Sequence, residues 1–207
     1  YKQRFGDASG FTFVIVGNLD LARTKDLVEK YVGSLPAAGR HETWRDPNVN
    51  RPAGVAKKTF AIGTEPKARV VLTFHGPETW SRDTANDMAM LGEVLRIRLR
   101  EVLREEMGGI YSVDVSGSIS RRPRGEYSLN ITFGCAPENV DKLVRAVFDE
   151  AALLRDKPLD ADTLNRGREI RRRVRETAKQ DDAWWVKRLQ FLYTYGEENK
   201  PPPDPVD

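Results

Sequence analysis

The chain has 207 residues, 39% hydrophobic and 31% charged, with 34 basic against 31 acidic residues and a formal net charge of +3. That length suits one large domain or two small ones with a substantial core, and so even a charge balance gives no sign of a nucleic-acid coat. No run approaches the ~18 apolar residues of a membrane span, and the single cysteine, Cys135, excludes an intrachain disulfide and leaves the redox compartment undetermined.

Residues 11–17 (Phe-Thr-Phe-Val-Ile-Val-Gly) form an apolar β-favouring run and are expected as a strand buried on both faces. Asn18 or Asp20 can cap the helix that follows, whose stripe of Leu21, Leu27, Val28, Tyr31, Val32 and Leu35 ends at Pro36. Residues 37–54, rich in Pro, Gly, Asn and Arg, read as a long surface connection. Two strands are expected at 55–62 and 67–75, linked by a turn at 63–66.

Ser81 or Asp83 then opens the longest helix, with Met88, Leu91, Leu95, Leu99, Val102 and Leu103 along one face. Gly108-Gly109 closes it, because a left-handed cap there carries no Cβ penalty. Strand 110–119 and its hairpin partner 126–134 follow, turned by Arg121–Gly125. Pro137 starts another helix, and Pro158 and Asp160 separate it from a helix of about 20 residues. Asp182 is expected to cap a last aromatic helix ending near Gly196, and Pro201-Pro202-Pro203-Asp204-Pro205 cannot continue any element. Hairpins joined by helices give an α+β class, an antiparallel or mixed sheet covered on one face by helices.

The residues needed for self-contained catalysis are missing. Only His41 and His75 are present, neither with a second His or Cys at metal-ligand spacing, and neither His-Glu-x-x-His nor its inverse occurs. Gly-x-Ser-x-Gly is absent, and Gly108-Gly109 lies at the helix end whose dipole repels anions. Arg166 to Arg175 is the one basic run, but acidic residues interleave it, as on a solvated helix face with ion pairs.

What remains is Leu103-Arg104 leading through Gly108-Gly109 to Ile110-Tyr111-Ser112-Val113. Six residues separate Arg104, on the last helical turn, from Tyr111, at the mouth of a strand. Guanidinium and phenol are both donors, suited to the backbone carbonyls of an extended peptide or to a developing oxyanion.

This pattern resembles the Arg-and-Tyr motif in the C-terminal half of the pitrilysin/insulysin family of zinc metallopeptidases. Phe13-Val14-Ile15-Val16-Gly17-Asn18-Leu19-Asp20 with Leu35-Pro36, and Val71-Leu72-Thr73-Phe74-His75-Gly76-Pro77 before the long helix, are similar to family segments too. The resemblance covers roughly residues 1–195. It implies one α+β domain of this family over 1–197, with 198–207 as a Pro-rich tail or linker. It further implies a chain that binds no metal itself, its partners being peptide substrate and an N-terminal domain of the same protein that carries zinc through inverted His-x-x-Glu-His. Arg104 would hold the substrate backbone and Tyr111 the substrate carbonyl or tetrahedral intermediate, on a turn supported by Gly108 and Gly109. The chain alone would be inactive, and its start at Tyr1 without Met is expected of a segment of something longer. Many bacterial relatives of this type are periplasmic, and some family members serve only as scaffolds. An RNA-binding α+β domain using the basic helix is the reading from another class, but its strands lack a pair of stacking aromatics on one face.

Overall fold

A computed structural model describes residues 1–197; the expected Pro-rich tail, 198–207, lies outside the described residues. In chain order the elements are α1 (Lys2–Phe5), α2 (Leu21–Tyr31), β1 (Ala68–Pro77), α3 (Arg82–Leu99), a π-helical segment (Arg100–Glu106), β2 (Ile110–Ser120), β3 (Glu126–Cys135), a 3-10 turn (Pro137–Asn139), α4 (Val140–Asp156), α5 (Ala161–Ala178) and α6 (Asp182–Tyr195). They fall into two compact units: Arg45–Arg171, and Tyr1–Trp44 together with the described residues from Arg172 onward.

The larger unit is built on a three-stranded antiparallel sheet in the order β1-β3-β2. Alternation sends Leu129, Ile131, Phe133 and Cys135 of the central strand to one face, where all four are buried. Helices cover that face: Leu95 and Leu99 of α3, Leu103 of the π segment, and Leu143 and Val147 of α4 complete the core. The other face is polar, with Thr73 Oγ1 and Asn130 Oδ1 hydrogen-bonded at 2.8 Å between strands. Sheet and helices therefore form the expected α+β sandwich. Burial, and secondarily the Glu138 carboxylate, raise the Cys135 thiol above its ordinary pKa, so it stays a protonated core group.

Of the two candidate caps for the long helix, Ser81 is used. Its hydroxyl accepts from Thr84 N at 2.9 Å, and Thr84 Oγ1 accepts from Ser81 N at 2.8 Å, which closes a capping box. Ser81→Ala is expected to cost about 1 kcal/mol locally, read as faster amide hydrogen exchange over the first turn of α3; unchanged exchange at Thr84 would contradict that value. Asp160 likewise starts α5, accepting from Thr163 N at 2.7 Å, which holds its carboxyl below the usual range.

In the smaller unit Asp20 caps α2, accepting from Ala22 N and Arg23 N at 3.0 and 3.2 Å. Gly196 ends α6 in the left-handed conformation. Three expectations are corrected. Residues 11–17 pair in no ladder, and Phe11, Phe13 and Ile15 stand 40–51% exposed. Residues 55–62 are not a strand either; Phe60 and Ile62 are 75% and 90% exposed. An apolar β-favouring run becomes a strand only when a neighbour takes its hydrogen bonds, and neither run has one among the described residues. The cap of α6 is Asp181, whose side chain accepts from Ala183 N at 2.8 Å, not Asp182, which is already helical.

Candidate functional site

The site is built where α3 loses its α-helical winding. From Arg100 to Glu106 the chain is π-helical, a form found mostly as short insertions and frequently at functional sites. Met107 N donates to Val102 O at 3.1 Å, the five-residue step of that winding. Gly108 then turns the chain at φ +59°, and its N–H donates to Arg104 O at 3.1 Å, while Gly109 N donates to Leu103 O at 3.0 Å. The second glycine sits against the core: a Cβ on Gly109 would lie 2.7 Å from Leu143 Cδ2, so the buried Leu143 side chain would have to shift to admit it.

The strand beyond the turn opens on a bulge. Ile110 pairs with Cys135 and Val113 with Phe133, so Tyr111 and Ser112 together oppose Gly134. Ile110 stays on the core side and is buried, whereas Tyr111 is 84% exposed.

Arg104 is exposed as well, and no hydrogen bond or ion pair engages its side chain among the described residues. It lines a pocket of about 60 Å³ with Arg96, Arg100, Ile110, Ser112 and Val113. Tyr111 does not line that pocket. Arg104 and Tyr111 are thus both solvent-facing, at the two ends of one Gly-Gly turn, rather than on the wall of one cavity. Reading the sequence did not single out Arg96, Arg100 or Ser112. The arginines carried a signal, their spacing of four and eight residues before Arg104, but on an exposed helix such spacing also describes a solvated face.

Other candidate chemistry finds no site. Among the described residues no group of three or more His, Cys, Asp and Glu could hold a metal. His75 Nδ1 lies 3.4 Å from Glu126 Oε1, and His41 is exposed in the other unit. This donor set does not fit zinc. In the basic run, Arg166 pairs with Glu101 at 3.0 Å, Arg172 with Glu176 at 2.9 Å, and Arg171 donates to Asn86 O at 3.4 Å. The first and third of these contacts tie the basic run to the π segment and to α3, and the second is an i,i+4 pair on the helix surface. No described helix is long and apolar enough to cross a membrane.

The family profile described as the peptidase M16 inactive domain matches residues 1–171. The chain belongs to that family, as the pitrilysin/insulysin resemblance implied. It is similar to a zinc protease PQQL-like protein of Arabidopsis thaliana, 29% identical over 210 residues that cover 91% of this chain and 21% of the relative. It is also similar to the probable zinc protease PqqL of Haemophilus influenzae, 26% identical over 145 residues, 69% of this chain and 15% of the relative. Among solved structures, the periplasmic protease PqqL from Escherichia coli shares the fold with a TM-score of 0.64 at 22% identity, over 88% of this chain and 20% of that one. The chain therefore spans about a fifth or less of the length of these relatives. It is an inactive M16 domain of the kind found in zinc-protease-like proteins.

Proposed function

We propose that this chain is the non-catalytic, substrate-binding domain of a zinc metalloendopeptidase. Residues 1–197, both compact units together, make up a single pitrilysin/insulysin-type domain in this reading, and peptide hydrolysis takes place at zinc held by an N-terminal domain of the same protein. Arg104 grips the substrate backbone through the two-pronged geometry of its guanidinium, and Tyr111 donates its phenolic hydrogen to the carbonyl oxygen under attack. The observation that carries this reading is a guanidinium without a described partner and an exposed phenol on either side of the Gly108-Gly109 turn, in a chain related to zinc proteases.

Arg104→Ala in the full-length protein is expected to raise KM for a peptide substrate about tenfold, the loss of a charge-assisted hydrogen bond, while the melting temperature holds because the side chain is exposed. An unchanged KM would remove Arg104 from the binding surface. A scaffold role for the whole protein is separated from this one by its N-terminal part: a peptidase carries His-x-x-Glu-His there, and a scaffold lacks it.

A further inference from the structure

Arg104 does not stand alone on its helix, and the winding of that helix decides which residues stand beside it. In an α-helix a step of four residues overshoots a full turn by about 40°, so Arg96, Arg100 and Arg104 on an unbroken α-helix would drift steadily around the axis. Here the step from Arg96 to Arg100 is essentially α, and the step from Arg100 to Arg104 is π. The wider π winding needs more than four residues per turn, so that second step falls short of a circle and swings back. The three arginines are thereby kept in a narrow row, and all three line one pocket together with Ser112 at the bulge.

Their charges are not equally spent. Arg96 is paired with Glu93 at 2.5 Å. Glu101 is engaged by Arg98 at 3.6 Å and Arg166 at 3.0 Å. Glu105 shares with Arg96 and Arg100 the rim of a second cavity, of about 170 Å³, without an ion pair to either. Arg100, like Arg104, has no ion pair or side-chain hydrogen bond among the described residues. Among the described residues, two arginines without an ion pair and one paired to Glu93 therefore line a pocket with space for a few heavy atoms, together with apolar Ile110 and Val113. A backbone carbonyl takes only one donor of Arg104; with Arg100 lining the same small pocket, a group with two equivalent oxygens and a full negative charge can be met by a donor from each arginine.

We infer that the pocket formed by Arg96, Arg100, Arg104 and Ser112 is a carboxylate subsite, so that the peptides this domain receives carry an acidic side chain or a terminal carboxylate at the residue it holds. This rests on the reading of the chain as a peptide-binding domain and adds Arg100 as the residue that sets charge preference.

The test is equilibrium binding of fluorescein-labelled peptides to the full-length protein, stripped of metal with a chelator so that nothing is cleaved. Three matched peptides are compared: one with Glu, the same peptide with Gln, and the Gln peptide with its C-terminus amidated. The wild type is expected to bind the Glu peptide about tenfold more tightly than the Gln peptide, or the free-acid Gln peptide about tenfold more tightly than its amide, the first outcome assigning the pocket to a side chain and the second to a chain end. Arg100→Gln should bring that ratio close to one. Arg100→Lys, which keeps the charge and loses the fork, should restore part of it. Equal binding of all three peptides by the wild type, or a preference that survives Arg100→Gln, overturns the carboxylate subsite and leaves the peptide-binding role standing. No binding of any peptide overturns both.

Discussion

Removing one oxygen atom from this chain, by Tyr111→Phe in the full-length protein, is expected to lower kcat for peptide hydrolysis about 100-fold, the usual consequence of losing one oxyanion donor. The prediction is clean because the ring contributes little to folding. Tyr111 is 84% exposed, lies on the unpaired side of a bulge, and makes no side-chain hydrogen bond among the described residues. Its substitution should leave the melting temperature within a degree or so. The distribution of the loss is diagnostic. A donor that acts only as charge develops on the carbonyl oxygen lowers kcat and kcat/KM together, whereas a group that merely binds the ground state raises KM alone. Arg104→Ala is assigned to the second pattern and Tyr111→Phe to the first, so the two variants read different steps of one cycle. Wild-type turnover by Tyr111→Phe on a saturating peptide would show that the phenol has no part in the reaction.

The turn that carries both residues was legible because each part of it has a local cause. Leu95, Leu99 and Leu103 mark a helix by spacing, Gly108 supplies the left-handed residue that stops it, and alternation from Ile110 onward marks a strand. Parts set by the environment were not legible. The residues at 11–17 and 55–62 have every local property of strands, and nothing in such a run records whether a neighbour will accept its hydrogen bonds. Asp181 and Asp182 are equally good caps, and the choice fell to the residue whose backbone is extended, Asp181 at φ −101° and ψ 125°. The π segment is hidden for a different reason. Leu99, Val102 and Leu103 satisfy an α or a π winding alike, so the hydrophobic pattern gives no warning that Arg104 is rotated back toward Arg96. The family resemblance pointed to Arg104 and Tyr111 by motif, and its motif is silent about the arginines one and two turns earlier.

Gly117→Ala is expected to be among the most damaging single-methyl changes in the larger unit. A Cβ at Gly117 of β2 would lie 2.3 Å from the carbonyl oxygen of Met88 in α3 and 3.0 Å from Met88 Cγ, and a Cβ at Gly92 of the same helix would meet Gly117 N at 3.0 Å. Helix and strand touch here backbone to backbone. The closest obstacle is main chain, so no rotamer change relieves it, and α3 must lift from the sheet that it covers. Overpacking of that kind costs about 3 kcal/mol, seen as earlier melting and faster hydrogen exchange along β2 and α3. Gly134→Ala on β3 is the matched control, since its Cβ would meet nothing nearer than Ala68 O at 3.8 Å. Adding Met88→Ala should fail to rescue Gly117→Ala, because truncating that side chain leaves the offending carbonyl in place; a full rescue would show that the side chain, not the backbone, sets the approach. The same contact fixes the angle at which α3 delivers its π-wound end to the start of β2. Gly117→Ala should therefore also weaken peptide binding by displacing Arg104 relative to Ser112, even though position 117 lies five residues down the strand from Ser112 and touches no part of the pocket.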